Sequence, residues 1–123
     1  MLSLPLAYMI IMETTRQNRI ERLLQKELGE IFLLQAKPLF GGAMITVTRV
    51  HISKDISTAR VYLSVFATTD KTATFNLIKA KAFEIKKLLV VHIKSQIRSI
   101  PSIEYFIDDS LDYIERIETL LKP

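Results

Sequence analysis

The hydrophobic period of this chain switches from helical to strand spacing and back, and few small folds accommodate that order. From Thr14 to about Ala36 the apolar residues Ile20, Leu23, Leu24, Leu28, Ile31, Phe32 and Leu34 recur at three- and four-residue steps, the spacing of one helix face. The runs Met44–Ile52 and Ala59–Phe66, rich in Val, Ile, Thr, Tyr and Phe, alternate as strands do. Beyond the polar break Thr68-Thr69-Asp70-Lys71 the helical step returns at Phe75, Ile78, Ala82, Ile85, Leu89, Ile93, Ile97 and Ile100. A hairpin between amphipathic helices lays one sheet face on a helical layer.

The boundaries follow from local chemistry. Thr14 or Thr15 can cap the first helix, and Pro38 followed by Gly41-Gly42 is expected to stop it. In the second run Ala59, Val61, Leu63 and Val65 share one face, and Arg60, Tyr62, Ser64 and Phe66 the other. In the first, simple alternation sets Thr46, Thr48, Val50 and Ile52 against Ile45, Val47, Arg49 and His51. Between the runs, Asp55 is placed to organise the turn by accepting backbone N–H bonds. The second helical pattern lasts to about Ser99, which exceeds the roughly 8–20 residues usual for one helix, so a kink is expected near Ala80–Glu84. Pro101 ends that pattern, Ile103–Ile107 reads as a third strand, Asp108-Asp109-Ser110 as a cap, and Leu111–Leu121 as a short acidic helix.

At 123 residues this is one domain's worth of chain. With no cysteine, it has no disulfide framework, zinc ribbon or thiol nucleophile, and a cytoplasmic location is expected. Residues 1–11 carry no charge, and they lack a basic leader and a small-residue cleavage site. They are expected to be an unstructured extension from an upstream start, with residues 12–123 as the domain. No stretch reaches the roughly 18 apolar residues of a spanning helix, so no membrane role is expected.

Charge is distributed unevenly. Residues 12–101 hold 15 basic and 7 acidic side chains, and residues 102–123 hold 2 and 6. A basic body suits a polyanion, because cations that neutralise phosphates release condensed counterions. On the second helical pattern Lys79, Lys86, Lys87, Lys94 and Arg98 fall in one sector of about 120°, next to the apolar stripe. An ordinary solvated face would also hold lysines, but only Glu84 offers an opposite charge on this element. Arg19, Arg22 and Lys26, with Arg16 at the edge, form a smaller basic flank on the first helix, which Glu21, Glu27 and Glu30 lace as they would an ordinary solvated face; Arg49 and Arg60 are further candidates. Phe83 lies in the same sector as the lysines and could stack a base, though a kink would rotate it and burial is the commoner fate of phenylalanine.

Catalysis has little support. His51 and His92 lie in unrelated elements, and His92, on a helical stripe, reads as a buried or interface residue. Asp108, Asp109 and Asp112 sit where capping and the helix dipole account for them, so no metal or other cofactor is expected. The three glycines, Gly29, Gly41 and Gly42, form no phosphate loop.

Three runs together resemble a known family. They are Arg16-x-x-Arg19-Ile20 with Leu28, the stretch from Ile52 through Ser53-Lys54-Asp55-Ile56-Ser57-Thr58-Ala59-Arg60-Val61-Tyr62 to Phe66, and Ile97-Arg98-Ser99-Ile100-Pro101-Ser102 through Tyr105-Phe106-Ile107-Asp108 to Leu111. In combination, from about Glu13 to Lys122, they resemble ribosome-binding factor A, a family of bacterial assembly factors of the small ribosomal subunit. The resemblance implies an α+β chain forming a single type II KH-like domain, in the order α-β-β-α(kinked α)-β-α, with a three-stranded sheet packed on helices. Family members carry Ala-x-Gly at the kink; this chain has Ala82-Phe83-Glu84 and departs from that pattern.

The resemblance further implies a non-enzymatic, monomeric protein that binds free immature small (30S) subunits and assists maturation of 16S rRNA near its 5′ end. It implies importance in the cold and release with help from an assembly GTPase. Lys79, Lys86, Lys87, Lys94, Arg98, Arg16, Arg19 and Arg22 are then the candidate RNA contacts. Two alternatives stay open at this point. A general KH-type RNA-binding protein or RNA chaperone would bind isolated single strands as tightly as subunits, and a protein-interaction domain would show a flat salt dependence.

Overall fold

The computed structural model describes residues 3–108, with side chains from residue 15 onward. Its elements are α1 (Ser3–Phe40), β1 (Met44–Ile52), β2 (Thr58–Phe66), α2 (Lys71–Ala80), α3 (Ala82–Ile93) and β3 (Ser102–Ile107). The strands form one sheet in the order β1-β2-β3, with β1 antiparallel and β3 parallel to β2. Helices cover one face of it, giving the α+β fold with a three-stranded sheet and a broken helix pair. The expected closing helix at 111–121 lies outside the described residues.

The first helix is longer at both ends than its apolar stripe predicts. It begins at Ser3, so the stretch expected to be unstructured is helical from there; Pro5 falls in the first turn, where backbone donors lack intrahelical partners in any case. It also runs through Pro38 to Phe40. A proline so near the end withholds a single bond, to the carbonyl of Leu34, whose side chain is on the exposed side. The glycines end the helix. Gly41 and Gly42 adopt φ of 61° and 87°, a region glycine enters without steric cost, and the Gly42 N–H closes onto the Ala36 carbonyl at 2.8 Å.

Simple alternation fails in β1. Ile45 and Val47 are buried, but so are Val50 and Ile52, while Arg49 and His51 are exposed. The pairing slips at Thr48, since Val47 faces Leu63 and Arg49 faces Tyr62. This bulge inserts one residue and exchanges the two faces. Four apolar side chains thereby reach the core, and an arginine and a histidine are kept out of it. They join Ala59, Val61, Leu63 and Val65 of β2 against Leu24, Leu28, Ile31 and Phe32 of α1 and Ile78, Ile85, Leu89 and Ile93 of the helix pair.

The break between α2 and α3 is a single residue. Lys81 has φ −97° and ψ 11°, a sparsely populated region that an L-residue can nonetheless enter, so the bend needs no glycine. Glu84 stands in the first turn of α3, where a negative charge is favourable against the helix dipole. The second pattern does not continue to Ser99. Helix α3 stops at Ile93, the last fully buried residue of its stripe, and Ile97 and Ile100 reach the core edge from the following loop. Pro101 further disfavours helical backbone at Ile100.

Candidate nucleic-acid interface

Where α1, the β1–β2 turn and the segment after α3 meet, a groove of about 750 Å3 opens. Helix α1 holds the end of β1 in place: Gln17 Nε2 donates to the Ile52 carbonyl at 3.1 Å, and the Ile52 N–H donates to Glu21 Oε1 at 3.0 Å. The turn is organised as its aspartate predicts. Asp55 Oδ1 accepts from the hydroxyls of Ser57 and Ser53, each at 2.7 Å, and from the Ser57 N–H at 3.2 Å. These bonds, that from the Ser57 hydroxyl foremost, hold the Asp55 carboxyl below the usual carboxylate range. The Ser102 N–H donates to the Ser57 carbonyl at 2.9 Å and ties the turn to the start of β3.

This arrangement gathers Arg16 and Arg19, one helical turn apart, with Lys54 and Arg98 along a single groove. All four are exposed, and none forms an ion pair with a described residue. Asp55 is the single carboxylate among the described residues of this lining, so the four cations leave a net positive field that a polyanion would relieve. Lys54 belongs to this set, although the charge periodicity of the helices could not reveal it. The available signals were its place in the turn and in the second family-bearing run.

The remaining candidates lie elsewhere. Lys79 borders a second groove of about 410 Å3 with Ala82 and residues Ile103, Glu104, Tyr105 and Phe106. Lys86 and Lys87 stand exposed on α3, Lys94 caps it, and Arg22 is exposed on α1 without lining either groove. The single lysine sector is thus divided by the break at Lys81 and by the end of α3. Phe83 is not buried: it is 67% exposed, with the Lys87 ammonium 4.7 Å from its ring centre. Arg49 and Arg60 lie on the sheet face away from the helices, where the Arg49 guanidinium sits 4.3 Å from the Tyr62 ring and Tyr62 stacks on Phe106 at 5.4 Å.

His92 is an interface residue, as its position on the stripe predicts. Its Nδ1 lies 3.1 Å from Glu27 Oε2, joining α3 to α1. Glu30 completes a cluster whose ligand atoms lie within 4.8 Å of one another, away from the basic groove. His51 is exposed on the outer sheet face, 3.9 Å from Glu21. No described helix is long and apolar enough to cross a membrane.

The family model described as ribosome-binding factor A matches residues 16–121. The chain belongs to the ribosome-binding factor A family. It is 40% identical to the ribosome-binding factor A of Cytophaga hutchinsonii over 110 residues, covering 89% of this chain and 83% of that one. It is also 40% identical to that of Flavobacterium johnsoniae, covering 89% and 85%. Among solved structures the fold matches the crystal structure of ribosome-binding factor A from Thermus thermophilus, with TM-score 0.60 and 21% identity over 74% of this chain and 94% of that one. It also matches a homology model of the Thermus thermophilus factor fitted into a cryo-electron-microscopy map of a 30S complex, with TM-score 0.57 and 21% identity over 71% and 89%. The three runs by which this chain resembles the ribosome-binding factor A family are the same segments that line the groove: Arg16 and Arg19 from the first, Lys54 from the second, Arg98 from the third.

Proposed function

We propose that this chain is a non-enzymatic assembly factor that binds free, immature 30S subunits and assists maturation of 16S rRNA near its 5′ end. The observation that carries this reading is the convergence of Arg16, Arg19, Lys54 and Arg98, drawn from three family-bearing segments, on one groove, where none of the four is ion-paired to a described residue. Family membership supports the ribosomal target, as does the 30S complex of the Thermus thermophilus relative. The exposed Lys86, Lys87 and Lys94 with Phe83, and Lys79 at the second groove, supply further phosphate and base contacts. Arg22 adds to the field on α1.

On this reading the protein works in the cytoplasm as a monomer, matters most in the cold, and leaves with help from an assembly GTPase. The binding unit is residues 12–123. The experiment is depletion of the protein in its own cell. Free small subunits should then accumulate with 16S rRNA extended at the 5′ end, mapped by primer extension. Normal 5′ ends in depleted cells would count against it.

A further inference from the structure

We infer that the groove between α1, the β1–β2 turn and the α3–β3 segment is a site for one unpaired nucleotide, with the base on its floor and the phosphate at its rim. The inference rests on the proposed RNA-binding function and narrows what this surface takes. The floor is apolar: Ile20 is buried, and Leu23, Ile56 and Ile97 are partly buried against the core. The rim is cationic. A duplex presents a convex ribose–phosphate surface that could meet the four cations but not the floor, whereas a base turned out of a single strand reaches both.

Three further observations agree. The volume, about 750 Å3, is within the roughly 300–1,000 Å3 of sites that enclose small organic ligands. The walls carry Gln96, Ser57 and Ser99, whose amide and hydroxyl groups can donate to and accept from a base edge. Asp55 also lines the groove; a carboxylate repels a bare anion but accepts from an exocyclic amino group, so the lining suits a base with a phosphate better than a phosphate alone.

The backbone of the floor is strained. Ile56 has φ 60°, an outlier for a β-branched residue. Such conformations persist where the surroundings over-determine them, and they cluster at ligand sites. Here the Ile56 N–H donates to the Ser53 carbonyl at 2.9 Å, and the Asp55 network flanks it. This holds an apolar side chain against the groove, where an ordinary turn would carry glycine or asparagine.

The test is methyl NMR on the full chain, labelled at isoleucine and leucine, titrated with adenosine 5′-monophosphate, inorganic phosphate, a short single-stranded oligoribonucleotide and the same RNA annealed to its complement. The nucleotide and the single strand should shift the Ile56 and Ile97 methyls to saturation, and phosphate and duplex should not. Arg98→Ala should weaken the nucleotide about tenfold, the loss expected for one hydrogen bond to a charged group. Equal responses to phosphate and nucleotide, or unmoved floor methyls, would overturn the inference. Small-subunit binding measured on the same samples separates the two claims. Unmoved methyls with subunit binding retained would sink the nucleotide site alone. Saturating methyl shifts without subunit binding would support the site and remove the ribosomal reading.

Discussion

Thr48 and Asp108, 60 residues apart, meet at 2.6 Å between Oγ1 and Oδ2. Thr48 is the extra residue of the β1 bulge, and Asp108 follows the last residue of β3. The same hydroxyl lies 3.2 Å from the Tyr62 carbonyl, so one proton is shared between two acceptors, with the carboxylate nearer. The bond ties the face switch of β1 to the far edge of the sheet. Thr48→Val should cost about 1–2 kcal/mol, toward the low end of the roughly 1.5–3 kcal/mol of a hydrogen bond to a charged group because the pair is only partly buried. Urea unfolding checks it; an unchanged midpoint would show the bulge holding without the bond.

The Glu27–His92 contact should matter more than its position on two helix surfaces suggests. Glu27 is only 8% exposed, and removing its imidazole partner strands a carboxylate. His92→Ala is expected to destabilise by about 1–3 kcal/mol, the cost of an unsatisfied buried polar group, and Glu27→Gln should recover part of that loss in the double variant. A double-mutant cycle with a coupling energy near zero would contradict this.

Asp55 gives the β1–β2 turn a pH dependence. Its folded-state pKa is depressed by the serine bonds, so its contribution is fully present above the unfolded value near 3.8 and is lost as pH falls through the folded value. Carboxyl-detected NMR should show Asp55 titrating below 3.8, with the Ser57 amide signal moving in step. Titration at or above 3.8 would mean that the serines do not hold the turn in solution.

Glu84→Gly restores the family's residue at a place where the bend does not need it. The bend is made at Lys81, and Glu84 stands in the first turn of α3, so glycine removes helix propensity and a favourable dipole interaction. A loss of about 1 kcal/mol is expected. Phe83→Ala, by contrast, should leave stability within about 0.5 kcal/mol because it alters an exposed side chain, while weakening RNA binding. Chemical unfolding and anisotropy on labelled RNA read the two outcomes, and the reverse pattern would place Phe83 in the core and Glu84 outside the helix.

Much of this fold was legible because the helical and strand hydrophobic periods do not mimic one another. Both strands of the hairpin, the third strand and the break near residue 81 follow from spacing and punctuation. What spacing could not show was the bulge at Thr48, since a one-residue slip leaves composition unchanged and reverses every later side chain. Nor could it end α3 at Ile93, because Ile97 and Ile100 keep the helical step while reaching the core edge from a loop. The site was half legible for a related reason. Helical projection finds cations that share a helix, but the groove is built from three segments, and Lys54 reaches it from a turn that no projection covers.

The most direct test is sedimentation of tagged protein through sucrose gradients with purified free 30S subunits over a range of salt. The protein should co-migrate with the free subunits. Replacing Arg16, Arg19, Lys54 and Arg98 by alanine should weaken binding and reduce the magnitude of the log–log salt slope by roughly 0.7–0.9 per lost phosphate contact. Protein that stays at the top of the gradient, or a quadruple variant with unchanged affinity and slope, would contradict the account.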